Sequence, residues 1–252
     1  MTTETITADL KTALRRMRLS PILETLPERI LLARQKKMPY QDFLELVIQD
    51  EISRRDRIST GLRAKAAKLD TAMRLEAWDD SAAITFDQQL WGELTTLRFM
   101  DDSQNVVIMG PVGVGKTFMA SSLGYIACRR RQSVVFSRTD RLLKRLKATR
   151  LDQSYEAEMK KLIRVDLLIL DDFALQSFDQ TETQDIYEIV VERHLKASTI
   201  VTSNRDPVEW LQVMADPLLA QSAIDRLQSA AHELVVEGES YRKRQKPGRK
   251  AS

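Results

Sequence analysis

The stretch Gly110-Pro111-Val112-Gly113-Val114-Gly115-Lys116-Thr117 organises the reading of the whole chain. It follows the apolar run Asn105-Val106-Val107-Ile108-Met109 and precedes residues 116–131, which read as a helix. A G-x-x-x-x-G-K-[ST] segment between a strand and a helix is the sequence form of a phosphate-binding loop. Glycines without a Cβ let backbone N–H groups close around a β-phosphate, and the start of the helix adds partial positive charge. The Lys116 ammonium then reaches the β/γ oxygens, and the Thr117 hydroxyl is a Mg²⁺ ligand. Pro111, Val112 and Val114 complete the loop and Phe118 follows it, so residues 110–118 form the expected nucleotide-binding segment.

Around this loop, short β-type runs at 105–109, 133–136, 165–170, 199–202 and 233–236 alternate with helical stretches at 116–131, 139–149, 154–164, 181–196, 206–214 and 217–230. Strand–helix alternation predicts an α/β fold with a parallel sheet covered on both faces. The run Leu167-Leu168-Ile169-Leu170-Asp171-Asp172 ends a buried strand in two acids, a Walker B pattern. An acid at the tip of such a strand faces the phosphates, which assigns Asp171 to Mg²⁺ and makes Asp172 a candidate for orienting or deprotonating water. An acid after a strand also caps turns, and both readings of Asp172 stand. Thr202-Ser203-Asn204 ends the next strand, making Asn204 a candidate γ-phosphate sensor, although Asn before Asp206-Pro207 also suits a plain turn.

The 252 residues suffice for one or two domains, and 43% hydrophobic with 30% charged residues excludes collagen-like, Pro-rich and disulfide-framework classes. The apolar runs are far shorter than the ~20 residues of a membrane-spanning helix, and the first twenty residues carry no export-signal pattern. A single cysteine, Cys128, makes no internal disulfide and reads as a small buried apolar residue. The expected location is the cytoplasm, with no membrane partner.

Charge is polarised. The chain is +3 overall, yet residues 129–150 hold nine Lys/Arg against one acid and residues 241–252 hold six against none. Clustered cations are the usual footprint of polyanion binding, though solvated helix faces and basic tails give the same count. Arg141, Lys144 and Arg145 lie at helical spacing opposite Leu142, Leu143 and Leu146, with Arg138 ahead of them. Residues 1–70 read as a small all-α domain ending in a basic stretch with Arg54, Arg55 and Lys65, candidates for further phosphate contact. Residues 71–100 read as a connector, 101–240 as the nucleotide-binding domain and 241–252 as a basic, disordered tail.

These motifs in this order, with Asp225-Arg226-Leu227, Gly238-Glu239-Ser240-Tyr241-Arg242 and the N-terminal Tyr40-Gln41-Asp42-Phe43-Leu44, Glu51 and Arg55, resemble the IstB-like branch of the AAA+ ATPases, relatives of DnaC-type helicase loaders and of DnaA. The resemblance covers essentially the whole chain. It implies a five-stranded P-loop (ASCE) sheet in the order 5-1-4-3-2 without a C-terminal helical lid, ATP with Mg²⁺ as cofactors, and ATP-driven homo-oligomers, ring or helical. It also implies that the ATPase engages duplex target DNA, mostly through the backbone, and recruits or activates a cognate transposase. Arg226 is similar to the family's arginine finger, supplied to a neighbour's nucleotide, and Arg242 to a position that contacts phosphate. Pro111-Val112 and Phe118-Met119 depart from the family's commoner residues outside the groups that touch phosphate.

Two other functions compete. A DnaC-like replicative helicase loader shares the ATP site and differs in partner and in preference for single strands. A small-molecule P-loop kinase would need an acceptor lid or a second substrate motif, and none is visible.

Overall fold

The computed structural model describes residues 6–78 and 84–241, and these fall into two compact units divided between Gly61 and Leu62. In the first, α1 (Ala8–Arg16), α2 (Ile22–Gln35) and α3 (Tyr40–Ala66) gather Ile22, Leu26 and Val47, with Ile6, Leu14, Leu19, Ile30 and Phe43 packed around them. Thr7 caps α1 through its side chain. The buried Glu51 carboxylate is gripped by both Arg54 and Arg55, Nε to oxygen 2.7 Å in each case. Arg29 pairs with Asp50 at 2.6 Å.

The second unit begins ahead of residue 70, where the sequence suggested a boundary. α3 runs on past Gly61, and Ala64, Ala67 and Leu69 are buried in the core of the second unit. Residues 84–101 also belong to that core: α4 (Gln88–Thr95), α5 (Arg98–Asp101) and the turn between them bury Leu94, Leu97 and Phe99. Residues 84–100 of the stretch expected to be a connector thus pack into this unit.

The central sheet comprises β1 (Asn105–Met109), β2 (Val134–Arg138), β3 (Leu167–Asp171), β4 (Ser198–Ser203) and β5 (Ala231–Val235). All neighbours are parallel in the order β2-β3-β4-β1-β5, the 5-1-4-3-2 order that the family resemblance implies, read from the other edge. β1, β3 and β4 are buried along their whole length, as central strands covered on both faces must be. Alternate residues sort onto the two faces. Val106, Ile108, Leu167, Ile169 and Ile200 pack on α6 (Lys116–Arg129) and the 64–99 layer. Val107, Met109, Leu168, Leu170 and Val201 pack on α7 (Thr139–Leu151), α8 (Tyr155–Arg164), α9 (Gln180–Arg193) and, beyond the short α10 (Pro207–Trp210), α11 (Pro217–Ser229).

Burying both faces of a sheet requires its polar groups to be paired. Arg193, 1% exposed, donates to the carbonyls of Leu162, Ile163, Val165 and Ser198 and to the Thr199 hydroxyl. Its pKa falls to about 10 through desolvation. The Asn105 side chain donates to Leu227 O and accepts from the Thr199 N–H. Among the described residues no helical lid follows β5, and no helix is long and apolar enough to cross a membrane.

Candidate nucleotide site

β1 delivers the chain to the loop at the C-terminal edge of the sheet, where ligands of open parallel sheets sit. Gly110, Gly113 and Gly115 have φ of 149°, 89° and 105°, a region L side chains rarely adopt. At Gly110 a Cβ would stand 2.0 Å from Val236 O, because the segment after β5 crosses the loop there. Val236 N–H donates to Met109 O at 2.7 Å and Tyr241 N–H to Gly113 O at 2.9 Å. A two-residue antiparallel pairing of Ile84–Thr85 with Glu237–Gly238 ties this segment to the 84–101 layer.

Lys116 is buried and its Nζ donates to Gly110 O and Pro111 O, each at 2.7 Å, so the ammonium lies within the curl of the loop. The Thr117 hydroxyl donates to Asp171 Oδ1 at 2.8 Å. Asp171 is 3% exposed. Burial raises its pKa, opposed by the hydrogen bonds from Thr202 (2.7 Å, also to Oδ1) and Thr117. Asp172 follows in a left-handed conformation, φ 53°, and its carboxylate lies 3.6 Å from Arg138 Nε. Arg138 Nε is also 3.3 Å from Asp140.

A cleft of about 540 Å³ joins residues 112–118 with Arg138, Asp172, Leu175 and Asn204. The sequence candidates of the loop, Walker B and the strand after it therefore converge. Asn204 is exposed at the rim. Met73, Ala77, Trp78, Ile84 and Tyr241 also line the cleft and give it an apolar side. Trp78 stands 3.5 Å from where a Gly115 Cβ would lie and packs on Phe118, centroids 5.2 Å apart. Trp78 falls in the stretch expected to be a connector and is not among the candidates read from sequence; it lies 27 residues before β1, and no motif marks it.

Other candidates lie apart. Arg226, on α11, donates to the Ser222 carbonyl at 2.9 Å and to the Ser222 hydroxyl, and it does not line its own cleft. Arg242 lies outside the described residues. Along α7, Arg141 and Lys144 are exposed, whereas Arg145 pairs with Glu158 at 2.9 Å. Other cations of the basic run also meet acids: Lys147 meets Asp179 and Glu182, and Arg150, stacked on Tyr155, meets the buried Asp185. The free positive surface is narrower than the count in sequence suggests. Arg54 and Arg55 are engaged by Glu51, and Lys65 is exposed. Cys128 is buried, its thiol pushed up to about 11 by desolvation, as a structural cysteine would be.

A five-stranded P-loop core of this order, with lysine, threonine and paired acids at one edge, defines an ATPase of the AAA+ class. The family model of the IstB-like ATP-binding proteins matches residues 12–249, and the chain belongs to that family. An insertion-sequence ATP-binding protein of Mycobacterium tuberculosis is 34% identical over 244 residues, covering 96% of this chain and 97% of its own. The IS21 ATP-binding protein of Pseudomonas aeruginosa is 32% identical over 214 residues, covering 85% and 81%. Among solved structures, AMPPCP-bound DnaA from Aquifex aeolicus (22% identity, TM-score 0.54) matches 66% of this chain and 50% of its own. The DnaC helicase loader (18% identity, TM-score 0.54) matches 66% and 97%. These two likenesses concern the fold.

Proposed function

We propose that this chain is the DNA-binding regulatory ATPase of an insertion sequence: with ATP it assembles on duplex target DNA and recruits or activates the transposase, and hydrolysis resets the assembly. The observation that supports this most is the double position of Arg138. It ends β2 at the rim of the nucleotide cleft and is the N-cap residue of α7, whose Arg141 and Lys144 face solvent. One short element thus joins the phosphate site to the surface best suited to a DNA backbone.

In this reading the triphosphate lies along residues 110–117, with Lys116 released from the loop carbonyls to the β/γ oxygens, and the base stacks on Trp78, which lines the cleft. Thr117 and Asp171 are oxygen donors of the kind a hard cation takes, and they would hold Mg²⁺, which neutralises charge on the phosphates when bound. Asp172 orients or deprotonates the attacking water, and Asn204 senses the γ-phosphate. Arg226 completes the site of a neighbouring copy, so a lone subunit lacks part of its transition-state charge.

The helicase-loader alternative rests on fold likeness below 25% identity, whereas relatives above 30% identity over most of the chain belong to insertion sequences. The test is ATP turnover and electron microscopy with duplex or single-stranded DNA. Duplex-stimulated turnover and ATP-dependent assemblies on duplex are expected. Stimulation by single strands alone, or a monomer on long duplex with a non-hydrolysable analogue, overturns the proposal.

A further inference from the structure

The paired acids of β3 do not hold their own geometry. The turn they occupy is stitched from the neighbouring strand by Thr202, which is fully buried. Its hydroxyl donates to Asp171 Oδ1 at 2.7 Å and accepts the Asp172 N–H at 3.0 Å. Its carbonyl accepts the Phe173 N–H at 2.8 Å. One residue of β4 therefore touches three successive residues of the Walker B turn.

Thr117 and Thr202 both donate to Oδ1 of Asp171, so neither occupies Oδ2. When the Thr117 hydroxyl turns to phosphate and cation, the Thr202 bond still fixes the carboxylate. A second consequence concerns Asp172, whose backbone is left-handed at φ 53°, a conformation that a non-glycine residue keeps where its surroundings hold it. The Thr202 hydroxyl on its N–H is a side-chain bond that does so, at a residue that lines the cleft.

We propose that Thr202 is a positioning residue for ATP hydrolysis, its hydroxyl orienting Asp171 and locking the backbone of Asp172 in one bridge. The first half of this proposal rests on the role given above to Asp171 and the second on that given to Asp172. The neighbouring Ser203 serves the other face of the same corner. It donates to Phe173 O at 3.0 Å and accepts from Trp210 Nε1 and the Arg205 N–H, each at 3.1 Å, so Thr202 stands in a rigid frame.

The experiment uses the full chain with Thr202→Val, which removes the hydroxyl at nearly constant volume, and Thr202→Ser, which keeps it. Thr202→Val is expected to lower kcat about 10- to 100-fold, the range of a lost hydrogen bond to a charged group. ATP affinity without Mg²⁺ should stay within about threefold, while half-saturating Mg²⁺ rises several-fold. Thr202→Ser should return kcat to within about threefold of wild type. Hydrogen exchange at the Asp172 amide, slow in the wild type, should accelerate in Thr202→Val.

Wild-type turnover in Thr202→Val overturns the proposal, as does a Thr202→Ser variant as slow as Thr202→Val. If Thr202→Val does not fold, an unprotected Asp172 amide in the wild type is the overturning result. Should Asp172→Asn turn over normally, the role of Asp172 fails, and the Mg²⁺ dependence of Thr202→Val still decides the Asp171 half.

Discussion

Gly110→Ala tests the packing of the phosphate loop directly. The new Cβ would lie 2.0 Å from Val236 O and 3.0 Å from Val236 C, both backbone atoms, at a residue with φ of 149°. No rotamer relieves such a contact, so the 236–241 segment must lift. That movement breaks the Val236 N–H bond to Met109 O, worth about 1 kcal/mol, and the residue keeps a backbone strained by about 1–3 kcal/mol. The sum, about 3 kcal/mol, corresponds to about 6–12 °C in Tm for a unit of this size. Gly92→Ala is the control: nothing lies within 4 Å of the position its methyl would take inside α4, and it should stabilise by about 0.5–1 kcal/mol. Thermal unfolding followed by circular dichroism reads both. A Gly110→Ala protein melting within about 1 °C of wild type refutes the reasoning, since the segment would then not be seated on the loop.

Three further outcomes are expected. Trp78→Ala should weaken ATP binding about tenfold or more, the scale of base–aromatic stacking, and leave inorganic triphosphate binding unchanged; equal losses for both ligands would remove the base from Trp78. Replacing Arg141 and Lys144 together with Ala should lower the salt slope of duplex binding by about two, and an unaltered slope would return α7 to ordinary solvated surface. Glu51 is held at about 2 against a usual 4.5, first by the Arg54 hydrogen bond. Its folded value is depressed, so its stabilising contribution is full above the usual value and is lost as pH falls toward about 2. Amide protection along α3, taken relative to the intrinsic exchange rate at each pH, should therefore fall over that window in wild type and depend less on pH in Glu51→Gln; identical protection profiles would sink the assignment.

How much of this was legible in the sequence depended on the range of the interaction. β1, β3 and β4 were readable because burial on both faces leaves uninterrupted apolar runs, and the loop motif sits directly after one of them. The meeting of Thr117 with Asp171 was legible from the two motifs, since the loop threonine and the acid at the tip of a buried strand were both assigned to one cation. The boundary at residue 61 was hidden because α3 is helical on both sides of it. Arg54 and Arg55 stand three and four residues after Glu51, a spacing that already predicts pairing. Arg145 with Glu158 and Lys147 with Asp179 join different helices, so composition counted those cations as free surface. Thr202 gave no signal of its own, since a Thr ending a strand is ordinary and its partners come from β3.

The most direct test is equilibrium binding and turnover of ATP by the purified chain beside Lys116→Ala. Saturable binding at one site per chain, Mg²⁺-dependent hydrolysis, and a loss of affinity of about 100-fold or more in the variant are the predicted results. Equal binding by the two proteins would contradict the site described here.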